Sequence, residues 1–455
     1  MKARTSPDRS GGGHTTGRAG SVAVLAGAAL LLAACSGGDD VADPGTGAVP
    51  TSEDAPAPDT PETEARETTG APETDPADGS DGPDGTTATE TTTSTDDAED
   101  GTAQEVSTEP PTLEVEVVGE DLSIPWDVQL LPDGTALVTE REGRVTHLAD
   151  GRTQAVDLDL SEVVAAGEGG LMGLAVSPDV EEDRTIFLCH TSQAAGTPDV
   201  RVTRWTLDEE ATSATQDGVV VDGLPYTSGR HSGCRLALTP DGDLLVGTGD
   251  AADSPNPQDL RSLGGKVLSV TTDGEPTDPD GHVEGADPRI LTYGHRNVQG
   301  LALQPGTDTW WSVEHGPDVD DEVNVLEPGG NYGWDPGPGY DEGVPMTDLD
   351  AFPDAVEAVW SSGDPTHATS GAVFLEGPQW GAWDGALAVA ELKGSGVSIL
   401  TVDGQEVTDV VRVPELDGTH GRLRSLTLDG DGALWVTTSN GDGDVVLRVT
   451  ATRAD

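Results

Sequence analysis

The sequence predicts an all-β fold, a six-bladed β-propeller, from three observations. One plan recurs six times: an alternating apolar strand, a turn rich in Pro, Asp and Gly, and a second apolar strand. The recurrence has a spacing of roughly 45–70 residues, which suits propeller blades joined by variable loops. No long amphipathic helix separates the repeats, although an α/β sheet needs one between consecutive parallel strands. A stacked β-sandwich could use the same strands but leaves the sixfold recurrence unexplained.

Taken in order, the repeats span 126–140, 171–190, 234–250, 298–316, 371–391 and 423–443. Their turns are Pro132-Asp133-Gly134, Pro178-Asp179, Pro240-Asp241-Gly242, Pro305-Gly306, Gly377-Pro378 and Asp429-Gly430. Period-2 alternation broken by such turns is a hairpin signature. Several repeats continue into a further strand, at 145–148, 202–207, 267–270 and 397–400. The loops at one end of the central channel are the natural place for a site.

Of the 455 residues, those from 112 to 455 are expected to form the propeller. The tract 35–111 is built mainly of Thr, Pro, Asp, Glu, Gly and Ala. It has Arg66 as its only basic residue and no Phe, Trp, Tyr, Leu or Ile. Such a composition cannot bury enough apolar surface to offset its ordering entropy, so a disordered acidic tether is expected. Residues 1–34 carry Lys2, Arg4, Arg9 and Arg18, followed by an apolar stretch too short for a membrane span, and read as a signal peptide. The stretch ends in Leu32-Ala33-Ala34-Cys35, which resembles the bacterial lipobox. Processing there would leave Cys35 as the lipidated first residue of an exported protein, held at the outer face of the cell membrane. The alternative is ordinary secretory cleavage, with Cys35 incidental.

The formal charge of −61 repels nucleic-acid phosphates and anionic lipid, so neither is an expected partner and membrane contact would run through the lipid alone. Beyond Cys35 the only cysteines are Cys189 and Cys234, and two thiols in an exported domain predict one disulfide. Two separate buried thiols are the alternative. Lys266, in Gly264-Gly265-Lys266, lacks the spacing and the following Ser or Thr of a phosphate loop.

The densest information lies between Tyr293 and Trp334: Gly294-His295-Arg296-Asn297-Val298-Gln299-Gly300, Glu314-His315-Gly316-Pro317 through Glu322, and Gly329-Gly330-Asn331-Tyr332-Gly333-Trp334. An Arg-Asn pair can orient a polar ligand, and a Gly-Pro turn beside carboxylates supplies the oxygen donors that calcium prefers. With Gly167-Glu168-Gly169-Gly170 and His231-Ser232-Gly233-Cys234-Arg235, this order resembles the soluble glucose/sorbosone dehydrogenases that bind pyrroloquinoline quinone (PQQ). The resemblance spans roughly 122–449.

The resemblance implies an oxidoreductase that oxidises an aldose or related aldehyde, with PQQ and Ca²⁺ as cofactors and the electron acceptor open. It makes His231 the base and Arg296 its catalytic partner. Glu168, Asn297, Gln299, Lys393, Arg422 and Arg424 would contact PQQ, a tricarboxylate that cations neutralise. The carbonyls of Gly316 and Pro317 would hold one calcium. Glu322, the carbonyls of Tyr332, Pro338 and Tyr340, and Glu342 would hold another. The chain departs from the pattern at Arg230, where the glucose-oxidising member has an acid, and at His315, where the family has Gln. An acid that orients His231 must then come from elsewhere, and Asp250 is the candidate. Two other readings compete: a cofactor-free propeller that only binds, and a metal-dependent lactonase-like hydrolase. The hydrolase would need side-chain carboxylates on the metal, and the clearest metal motif here offers backbone carbonyls instead.

Overall fold

The structure is a computed structural model that describes residues 109–194 and 196–454. The signal segment 1–34, Cys35 and all but the last three residues of the 35–111 tether lie outside the described residues.

The described residues form six four-stranded antiparallel sheets arranged as propeller blades. The chain opens with β1 (Thr112–Ser123) and then builds the first blade from β2 (Pro125–Leu130), β3 (Ala136–Glu140), β4 (Arg144–Ala149) and β5 (Arg152–Ala155). The second contains β6 (Leu171–Val176), β7 (Thr185–Ser192), β8 (Asp199–Leu207) and β9 (Ala214–Leu224). The third contains β10 (Gly233–Leu238), β11 (Leu244–Thr248), β12 (Lys266–Val270) and β13 (Ile290–Tyr293). The fourth contains β14 (Val298–Leu303), β15 (Trp310–Glu314), β16 (Glu322–Val325) and β17 (Trp360–Ser361). The fifth contains β18 (Thr369–Phe374), β19 (Leu387–Glu391), β20 (Gly396–Asp403) and β21 (Glu406–Arg412). The sixth joins β22 (Leu423–Leu428), β23 (Leu434–Thr438) and β24 (Asp442–Thr452) to β1.

That last pairing closes the ring. Thr112 pairs with Thr452 and Ser123 with Asp442, so the two ends of the domain share one sheet. The six predicted repeats supply the first and second strands of the six blades. The first strands β2, β6, β10, β14, β18 and β22 contact one another in sequence around the central channel.

The core lies between blades. Met172, Phe187 and Val202 pack on Leu236, Val246 and Leu268. Val313 and Val323 pack on Val389 and Leu400, and Val397 and Ile399 on Leu426, Val436 and Leu447. Strands β3, β11 and β19 are buried at every residue, because both faces meet a neighbouring blade. The outer strand β5 is exposed throughout and is correspondingly polar.

Cys189 of β7 and Cys234 of β10 form a disulfide between neighbouring blades, with Cα atoms 5.6 Å apart and a sequence separation of 45. A loop of this length gives an expected stabilisation of about 2–4 kcal/mol. Urea titration of the Cys189→Ser/Cys234→Ser variant should show that loss as a lowered midpoint. An unmoved midpoint would refute it.

Candidate active site

In every blade the first strand starts, and the second ends, at the same end of the channel. The expected site residues fall on those two kinds of boundary. Glu168, His231, Arg296 and Arg422 precede β6, β10, β14 and β22, while Asp250, His315 and Lys393 follow β11, β15 and β19. Antiparallel pairing therefore gathers segments far apart in sequence at one mouth.

His231 is almost fully buried, and its Nδ1 lies 2.8 Å from Asp250 Oδ1. The same carboxylate accepts hydrogen bonds from the Ala252 amide (2.7 Å), the Trp334 indole (2.8 Å) and the Tyr340 hydroxyl (2.8 Å). Four donors fix Asp250, and Asp250 fixes the imidazole. The chain can pass here because residue 249 is glycine: a Cβ on Gly249 would stand 1.8 Å from the His231 carbonyl. With Nδ1 occupied, His231 presents Nε2 to the mouth. Glu168 accepts from the His231 amide (3.2 Å) and from Asn297 Nδ2 (3.1 Å), and Asn297 Oδ1 accepts from the Gly233 amide (3.0 Å). Three expected residues thus share one hydrogen-bonded unit.

Cations crowd the same end. Arg424 is buried and donates to Gln299 Oε1 (2.9 Å), which also accepts from Ser370 Oγ (3.1 Å). Burial pushes Arg424 down to about 9, and the nearby Arg422, Arg235 and Arg141 push the same way against Glu168. Arg235 stacks over Trp126 at 4.4 Å, donates to the Gln299 carbonyl (2.7 Å) and pairs with buried Asp127 (2.7 Å). Arg296 donates to the His315 carbonyl (3.0 Å) and to Glu342 (2.5 Å). Burial and then the charges of Arg296, Arg424, His231 and Arg422 hold the His315 imidazole well below its ordinary value. Lys393 stands exposed on the turn after β19. Arg422 is likewise exposed.

Among the described residues, four buried nitrogens at this end have no hydrogen-bond partner: Arg141 Nε, Arg235 Nη2, Arg296 Nε and His315 Nε2. Leaving a buried polar group unpaired costs about 1–3 kcal/mol, and more for a charged one. A ring of under-paired cations in a protein of charge −61 fits a polyanionic ligand.

The other polar residues have structural roles. His295 bonds Thr292 and Glu314 and stacks on Tyr332 at 4.4 Å. His367 Nδ1 bonds Glu391. Lys266 donates to the carbonyls of Asn256, Pro257 and Gly264 and is pushed down to about 7 by burial, so it ties a loop and is no phosphate ligand.

The expected metal ligands divide. Gly316 lies in a turn that a Cβ would block, 1.9 Å from the Val319 carbonyl, and its amide donates to Asp321. The carbonyls of Gly316 and Pro317 accept no hydrogen bond among the described residues, which leaves them open to a cation. The carboxylates assigned to the second calcium go to different partners. Glu322 is buried with Thr347 and Asn324 and is pushed up to about 8 by burial and then by Glu314. Glu342 is taken by Arg230 and Arg296. Tyr332, Pro338 and Tyr340 lie with Glu342 on the long connection between β16 and β17. Among the described residues no group of three or more His, Cys, Asp or Glu side chains is gathered for a metal. Of that second set, Glu342 is hydrogen-bonded by Arg230 and Arg296 here, and Glu322 by Thr347 and Asn324.

Residues 122–447 match the family model described as Glucose / Sorbosone dehydrogenase. The chain belongs to this family. Aldose sugar dehydrogenase YliI of Escherichia coli is 31% identical over 350 residues, covering 74% of this chain and 93% of that protein. The PQQ-bound structure of aldose sugar dehydrogenase from Streptomyces coelicolor is 32% identical, with a TM-score of 0.62 over 75% of this chain and 100% of that one. The apo soluble aldose sugar dehydrogenase of Escherichia coli is 29% identical, with a TM-score of 0.67 over 74% and 99%. For a glucose/sorbosone dehydrogenase family chain, sequence reading missed Asp127, Arg141 and Arg235. Arg235 sits inside the His231 motif, and Asp127 is a lone acid in an apolar strand, a pattern that signals a buried ion pair.

Proposed function

We propose that this oxidoreductase is a PQQ- and calcium-dependent aldose dehydrogenase exported to the outer face of the cell membrane. The observation that carries the reading is the buried His231–Asp250 pair at the same mouth as Arg296, Lys393, Arg422 and Arg424. Arg424, Arg422, Lys393 and Arg296 would hold the cofactor's carboxylates and quinone, with Asn297, Gln299 and Glu168 beside them. Bound PQQ would supply the acceptor for the hydride that leaves the sugar's anomeric carbon, and calcium on the Gly316 and Pro317 carbonyls a Lewis acid beside it.

The remaining chemistry belongs to the chain. Asp250 keeps the proton on His231 Nδ1, so neutral His231 offers the Nε2 lone pair to the anomeric hydroxyl. That nitrogen takes the hydroxyl proton as the hydride departs, and the aldose becomes a lactone. Arg296, with its Nε unpaired, stabilises negative charge developing nearby. Export rests on the Leu32-Ala33-Ala34-Cys35 sequence.

Titrating the purified domain with PQQ and excess Ca²⁺ should give a bound-quinone absorbance that saturates near equivalence and disappears on chelation. Absence of binding at micromolar PQQ would overturn the reading and leave a propeller that only binds.

A further inference from the structure

Glu342 has a structural position that its expected role as a metal ligand does not explain. Arg230 Nη2 donates to both of its oxygens at 3.0 Å, and Arg296 Nη2 reaches Oε1 at 2.5 Å. Oε1 lies 3.9 Å from His231 Nε2, and Arg230 Nη2 lies 3.5 Å from the same nitrogen. The pair therefore flanks the atom that must meet the substrate's hydroxyl. It is also open, with side chains 48% and 34% exposed. The exposed Arg230 contact contributes little to stability, so incoming hydroxyls can replace it cheaply, while buried Arg296 keeps Glu342 in place. A carboxylate that accepts beside a guanidinium that donates is a two-point reader for neighbouring hydroxyls.

Resting on the dehydrogenase reading above, we propose that Glu342 and Arg230 form the specificity element for the sugar. Glu342 accepts from one hydroxyl of a neutral aldose, Arg230 donates to another, and the Glu342 charge disfavours aldoses that carry a carboxylate. Arg230 brings a cation to the base, and Glu342 neutralises it.

The test compares glucose with glucuronate on the PQQ- and calcium-loaded enzyme. Glu342→Gln leaves Arg230 and Arg296 without this counter-charge, and the ratio of kcat/KM for glucuronate over glucose should rise about tenfold, a shift on the scale of one charge-assisted hydrogen bond. Glu342→Asp should keep the wild-type ratio. Adding Arg230→Gln to Glu342→Gln should return the ratio towards wild type. Bound calcium, measured by elemental analysis, should match wild type in every variant. Should Glu342→Gln fail to fold, Arg230→Gln alone should raise KM for glucose several-fold with kcat held, and an unchanged KM would overturn the proposal. An unmoved ratio also overturns it, as does loss of calcium together with turnover of both sugars, which would make Glu342 a metal ligand. Wild-type protein that takes up no PQQ overturns the dehydrogenase reading itself and this proposal with it.

Discussion

Replacing His231 with alanine should lower turnover by about 10²–10⁴-fold and leave PQQ uptake intact. The separation of effects follows from the geometry. His231 contributes its Nε2 to the mouth, whereas the cations set around the channel, Arg424, Arg422 and Arg296, do not depend on its side chain for their places. Asp250 loses only one of its four donors in the variant. Absorbance titration with the cofactor and steady-state rates with an artificial electron acceptor read the two effects independently. Wild-type turnover in the variant would assign the base elsewhere, and loss of cofactor binding would make His231 part of the cofactor cradle.

Asp127→Ala should destabilise the propeller by about 3–5 kcal/mol, the range for stranding one partner of a buried ion pair. Asp127 is completely buried at the start of β2. It accepts from Arg235 Nη1 at 2.7 Å, from Ser425 Oγ at 2.6 Å and from the Leu174 amide at 3.2 Å. One carboxylate thus binds the first blade to the second, third and sixth. Its removal strands a guanidinium that already lacks a partner at Nη2. Urea unfolding should show a lower midpoint with an unchanged slope. Asp127→Asn, which keeps an acceptor in place, should lose less. A midpoint shift below about 1 kcal/mol for Asp127→Ala would mean that water or relaxation repairs the gap.

The strands of this protein are legible in sequence because their signals are local. Alternation and a Pro-Asp-Gly turn specify a hairpin within some fifteen residues, and β2 with β3 is such a case. Ring closure is not local: β1 carries no turn that points to β24, which lies at the other end of the domain. The same distinction runs through the site. His231, Arg296 and Asn297 sit in compact motifs and converge as expected. Asp250 could be named only as a candidate, since the loop that returns it to His231 depends on Gly249. The partner of Glu342 was illegible. It depends on where the Arg230 side chain points, and the pairing spans 112 residues.

Closure by β1 also gives the propeller a front and a back. β1 begins beside Thr452 and ends beside Asp442, so the backbone arrives at the face opposite His231 and climbs towards it. The Glu109 carbonyl, bonded to the Ala382 amide in the β18–β19 connection, marks the point of arrival. Residue 109 therefore lies at the blunt face, and the approach to His231 is lined by the loops between blade strands and not by the start of the domain.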